Sequence, residues 1–176
     1  MKNQTVKITF CAITAALGTV FMLLSYFPYF TYAVPAVSGV LTLVVLIELG
    51  EKWPFFTYLV TSVLVFIFAE PESKLMYILF FGYYPFLKAI IERLRNKVVQ
   101  YLIKFAIFNI AVVAVYAVLS LLFGVNIIEM GKYGVWGAVG VVLLANITFY
   151  LYDIVLVRVA NMYLKTVHPR LKKVIK

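Results

Sequence analysis

Long apolar runs separated by brief polar breaks organise this chain from end to end. The first run covers 6–24, and the uncharged aromatic stretch behind it, Ser25 to Tyr32, has the character of a loop at a membrane interface. The second, 33–49, ends at Gly50-Glu51-Lys52-Trp53-Pro54, a glycine stop followed by a proline start. A shorter third run, 55–69, is closed by Glu70-Pro71-Glu72. The fourth, 75–91, is interrupted by Gly82-Tyr83-Tyr84-Pro85, where proline removes a backbone donor and predicts a kink. Arg93-Leu94-Arg95-Asn96-Lys97 ends it. The fifth, 98–123, is the longest, and the sixth, 135–157, continues as an amphipathic extension toward Pro169, within a basic tail at 158–176.

A membrane crossing takes about 20 mostly apolar residues, so the pattern predicts an all-α integral membrane protein. The expected form is a compact bundle of about six transmembrane helices, making a single transmembrane domain over 1–176. Composition leaves little room for another class. With 65% hydrophobic and 13% charged residues, a water-soluble fold would have too little polar surface to cover itself. No small-residue cleavage site follows the first run, which is therefore expected to be a retained helix and not a signal peptide.

The net charge of +9 acquires its meaning from position. Lys2, Lys7, Lys52, Lys88, Arg93, Arg95, Lys97, Arg158, Lys165, Arg170, Lys172, Lys173 and Lys176 fall on one side of the expected bundle, against Lys74 and Lys132 on the other. Positive flanks resist translocation, so the count predicts both termini in the cytoplasm of a multi-pass cell-membrane protein, with the lipid bilayer as its first partner. Nucleic acid is not expected, because no soluble domain exists to shape a groove for it. The single cysteine, Cys11, and the single histidine, His168, argue against metal clusters and Cys/His catalysis. No HExxH, glycine-rich phosphate loop, intramembrane aspartate pair or serine–histidine arrangement occurs, so neither enzymatic activity nor a cofactor is expected.

Three groups of residues carry candidate chemistry. Ala12 and Ala16 stand one helical turn apart, a spacing that lets another helix backbone approach closely, inside the bundle or from a partner. Glu48, Lys88, Glu92, Lys104 and Asp153 fall in the expected cytoplasmic half. A charge in hydrocarbon requires a partner, so they are expected to form an ion-pair network, structural, able to change partners or able to relay a proton. Lys88 and Glu92 are spaced to pair directly. The outer half is aromatic: Tyr77, Phe81, Tyr83, Tyr84, Tyr116 and Trp136, with Ser120 and the deeper amides Asn109 and Asn146. Such a set suits a flat, largely neutral ligand, or alternatively an interfacial aromatic belt and interhelical hydrogen bonds.

Six compact spans, the alanine pair and the proline-containing aromatic loop Phe27-Pro28-Tyr29-Phe30-Thr31-Tyr32-Ala33-Val34-Pro35 together resemble the substrate-binding S component of energy-coupling-factor (ECF) transporters. The resemblance implies capture of a vitamin or similar micronutrient on the outer side and its passage inward with a transmembrane coupling subunit and two ATPase subunits. It assigns partner docking to Ala12 and Ala16, and gating to Phe27, Tyr29, Phe30 and Tyr32. Substrate contact would then fall to Tyr77, Phe81, Tyr84, Tyr116, Trp136 and Asn146. No signature singles out riboflavin, thiamine, biotin or folate. Two other readings stay open: a cell-envelope scaffold resembling the rod-shape protein MreD, and a solitary small transporter.

Overall fold

The computed structural model describes residues 4–27, 29–123 and 134–170, with side chains at 4–27, 29–121 and 139–170. Among them the chain is all-helical: α1 Gln4–Leu23, a 3-10 turn Leu24–Tyr26, α2 Ala33–Leu49, α3 Lys52–Phe68, α4 Pro71–Met76, a π-helical segment Tyr77–Phe81, α5 Tyr84–Ile91, α6 Lys97–Phe123 and α7 Gly134–Thr166. Among the described residues, four stretches are long and apolar enough to cross a membrane: Gln4–Tyr26, Pro71–Ile91, Lys97–Leu121 and Val139–Arg170. The apolar helices α2 and α3 are shorter, 17 residues each.

Local chemistry sets the boundaries. After α2 the chain reverses at Gly50, whose φ of 85° lies in the region glycine tolerates, and its N–H donates to the Leu46 carbonyl at 3.1 Å. The third helix begins at Lys52, earlier than the apolar run predicts, because a proline in the first turn, Pro54, loses no intrahelical bond. Glu70 caps α4, its carboxylate accepting from the Ser73 N–H at 3.0 Å, with Pro71 at the first helical position. Asn96 opens α6 by accepting from the Val98 N–H at 3.0 Å.

The expected proline kink takes a different form. Pro85 has no N–H to offer the Phe81 carbonyl, and the helix widens one turn earlier, where the Gly82 N–H donates to the Tyr77 carbonyl at 2.8 Å, five residues back. Widening frees carbonyls in an apolar setting. The Tyr58 hydroxyl donates to that of Ile78 at 2.8 Å. The Phe81 carbonyl lies against Gly39, where a Cβ would sit 2.3 Å from its oxygen.

Small and hydroxylated side chains bring α1, α2 and α3 together. The Ser38 hydroxyl donates to the Gly18 carbonyl at 3.2 Å, and a Cβ on Gly18 would lie only 3.0 Å from Ser38 Oγ. Thr14, Thr57 and Thr61 are buried and donate to carbonyls one turn back on their own helices. In lipid, where apolar side chains gain little by leaving their surroundings, such close approach drives association. A second core joins α2, the π segment, α5, α6 and α7 through Leu43, Phe80, Tyr84, Phe108, Phe149 and Leu156. Phe108 and Phe149 stack with centroids 4.6 Å apart. Among the described side chains of α7, packing starts at Ala145, against this core, and Asn146, against Asn109. The four consecutive residues Val141 to Leu144 are all exposed, so no face of that turn is covered.

Candidate functional site

Asp153, buried on α7, is the centre of a charge cluster. Its Oδ1 accepts from the Tyr84 hydroxyl at 2.6 Å and from Lys88 Nζ at 2.5 Å, and its Oδ2 accepts from Lys104 Nζ at 3.0 Å. Both ammonium groups also reach Glu92, at 2.6 Å from Lys88 and 2.7 Å from Lys104. Tyr84 and Lys88, one turn apart on α5, share one face, while α6 and α7 bring in Lys104 and Asp153. Two cations and two anions cancel, which is the condition for holding charges this deep. The Lys88, Lys104 and Asp153 side chains are 3–7% exposed and Glu92 is 39% exposed. Arg93 pairs separately with Glu51 at the exposed end of α3.

Glu48, expected in this network, lies outside it. It sits near the end of α2 beside the extension of α7, and its carboxylate accepts from the Tyr163 hydroxyl at 2.9 Å and lies 2.9 Å from His168 Nδ1. Tyr163 and His168 are therefore partners that the spacing of charges alone did not disclose.

Burial opposes ionisation of Glu92, but the Lys104 and Lys88 ammonium groups outweigh it and hold its carboxyl below the ordinary carboxylate value. A lowered value means the contribution to stability is complete above the unfolded-state pKa and is lost as pH falls through the folded one. The difference in unfolding temperature between the wild type and Glu92→Gln should be constant near neutrality and shrink only in acid. A difference that grows on acidification would contradict this.

The aromatic and amide candidates separate into distinct places. Tyr77 is 1% exposed, and its hydroxyl faces those of Thr61, Thr42 and Ser38. That hydroxyl layer is a polar feature the apolar pattern hid, though the serines and threonines inside the runs were its signal. Phe81 packs edge-on to Tyr152, with centroids 5.1 Å apart. Tyr84 belongs to the charge cluster and not to an outer face, because Asp153 is its hydrogen-bond partner. Asn146 and Asn109 form a reciprocal pair at 3.0 and 3.1 Å, and each amide nitrogen also donates to a carbonyl on its own helix. Tyr116 is 36% exposed on α6, near Tyr32. The side chain of Trp136 lies outside the described residues.

The first loop carries its aromatics outward, with Phe27, Phe30 and Tyr32 at 51–60% exposure and Tyr29 at 94%. It is stitched to the end of α3 and the start of α4. The Ser73 hydroxyl donates to the Thr31 carbonyl at 2.7 Å, Tyr26 donates to the Phe68 carbonyl at 3.0 Å, and the Tyr32 hydroxyl donates to Glu72 at 3.1 Å. Partial burial and the Glu72 carboxylate push the Tyr32 phenol up to about 12.

Ala12 and Ala16 are exposed, while Thr14, Ala15, Gly18 and Met22 fill the opposite, bundle-facing side of α1. Ala12 borders a groove between α1 and α3, lined by Ile8, Cys11, Trp53, Phe56, Thr57 and Val60. Compared with known proteins, the chain matches no family model, no curated protein and no solved structure.

Proposed function

We propose that the protein is the substrate-capture component of an ECF-type importer for a neutral, flat micronutrient, with no catalytic chemistry of its own. The observation that carries this reading is the outward aspect of Ala12 and Ala16. The alanine pair is not used in packing the bundle, so its close-approach surface is left for another protein. All six apolar helical stretches cross the membrane in this reading, α2 and α3 included, since both pack along α1 and α1 is long enough to span. Both termini are then cytoplasmic, which puts the charge cluster in the inner half and the stitched aromatic loop outside.

Tyr77, Tyr84 and Asn146 are engaged by protein partners, so the ligand is assigned to the α6–α7 side. There Tyr116 is partly exposed and the outer turn of α7 is unpacked. Phe27 to Tyr32 act as the lid, released by breaking the Tyr32–Glu72 bond. Transport requires a coupling subunit and two ATPases.

One observation favours the scaffold reading instead. Met22, Val34, Val65, Ala69 and Tyr77 form a packed apolar cluster among α1, α2, α3 and the π segment, leaving that side of the bundle without room for a ligand. Co-expression with the host's coupling subunit and ATPases separates the two. Ala12→Trp and Ala16→Trp are expected to lower co-purification of the coupling subunit at least tenfold, with the variants still folded and still carrying any small molecule found with the wild type. Equal recovery of the subunit with both variants would remove the docking assignment. A wild type that recruits neither subunit nor small molecule would favour the scaffold.

A further inference from the structure

The groove between α1 and α3 has the form of a lipid site. Its wall is apolar over Ile8, Ala12, Phe56 and Val60, its volume is about 290 Å³, and it is open along one side. Cys11 and Thr57 line it from opposite helices. One end of the groove lies at the start of both helices, and there the chemistry changes. Lys7 Nζ lies over the Trp53 ring at 5.8 Å from its centroid, which holds an ammonium group at the mouth, and Lys52 is the first residue of α3. Neither lysine has a carboxylate partner among the described residues, and Glu51, adjacent to Lys52 in sequence, is held by Arg93. Trp53 itself is of the type that settles at the boundary between headgroups and hydrocarbon.

We infer that this groove binds an anionic phospholipid, its phosphate between Lys7 and Lys52 and the upper part of one acyl chain lying on Ile8, Phe56 and Val60. Two uncompensated cations select the negative headgroup. The trough is lined almost wholly by apolar atoms, which suits a hydrocarbon chain and not a polar peptide. The site rests on the groove and its two lysines alone and stands whether or not the protein transports anything.

Cys11 provides a reporter inside the groove. Delipidated full-length protein in mild detergent is titrated with dioleoylphosphatidylglycerol or dioleoylphosphatidylcholine. Native mass spectrometry counts bound lipid, and a small methanethiosulfonate reagent reads the accessibility of Cys11. The expected result is one tightly held phosphatidylglycerol that slows Cys11 modification about tenfold, with phosphatidylcholine and inorganic phosphate giving little protection. Lys7→Gln/Lys52→Gln should weaken phosphatidylglycerol retention about tenfold and restore labelling. Val60→Trp, which fills the trough and keeps both lysines, should do the same.

Equal retention of the two lipids, or phosphatidylglycerol protection that survives the double lysine variant, would overturn the inference. So would protection of Cys11 without added lipid in a dimer of the chain, since the groove would then belong to a second copy. Where the reagent fails to reach Cys11 even without lipid, the retention ratio between wild type and the two variants decides alone.

Discussion

Asp153→Asn is expected to destabilise the protein by about 3–5 kcal/mol, the cost of leaving a buried cation without its anion. In the wild type, two ammonium groups share two carboxylates. Removing the Asp153 charge leaves Lys88 and Lys104, both almost fully buried, with Glu92 alone. The Tyr84 hydroxyl also loses its charged acceptor. Charge balance, more than any single bond, is what the cluster protects. Lys88→Met/Asp153→Asn therefore leaves a neutral Lys104–Glu92 pair and should recover at least half of the loss. Equilibrium unfolding in detergent micelles of the wild type, both single variants and the double variant closes the cycle. Additive losses, with no recovery in the double variant, would show that the four residues act independently and that the network account is wrong.

Gly39→Val is expected to be the most damaging change at a small residue, because the space for a side chain is already occupied by backbone. A Cβ there would lie 2.3 Å from the Phe81 carbonyl oxygen and 3.0 Å from the Tyr152 hydroxyl. That carbonyl belongs to the π segment and receives no bond from Pro85, so it cannot retreat without changing how α2 meets the interrupted helix. Even Gly39→Ala should lose about 1–3 kcal/mol by overpacking. Gly140→Ala is the control: nothing lies within 4 Å of its Cβ position, and alanine favours a helix, so stability should hold or rise slightly. Thermal unfolding of the two alanine variants side by side tests this. A Gly39→Ala protein as stable as Gly140→Ala would mean that the α2 to π-segment contact is looser than the geometry indicates.

Much of the architecture was legible because hydrophobic runs in lipid encode helices nearly one for one. Gly50, Glu70-Pro71 and Asn96 mark real helix ends, since each supplies a local backbone requirement that depends on its immediate neighbours. Lys88 and Glu92 were paired by their spacing, and Lys104 and Asp153 by the high cost of leaving a charge unpaired at that depth. Glu48 went astray for the same reason that made the others readable. Depth alone could not say that α2 faces the far extension of α7, where Tyr163 and His168 wait. Tyr84, read as an outward ligand contact, is committed to Asp153, and Asn146, left open between a ligand contact and an interhelical bond, makes the bond to Asn109, because rotation about a helix axis is invisible in a nearly all-apolar run.

By itself, then, the sequence determined that the chain is helical and apolar enough for a membrane, where its helices stop, and that its buried charges must meet in balance. Each of these follows from local bonding or from the cost of polar groups in hydrocarbon. Tertiary structure alone decided which way each helix turns. It set Ala12 and Ala16 outward, moved the break at Pro85 one turn upstream onto Gly39, and opened a groove beside Trp53, over which Lys7 lies. Those outcomes depend on how several helices share space, and no single run contains that information.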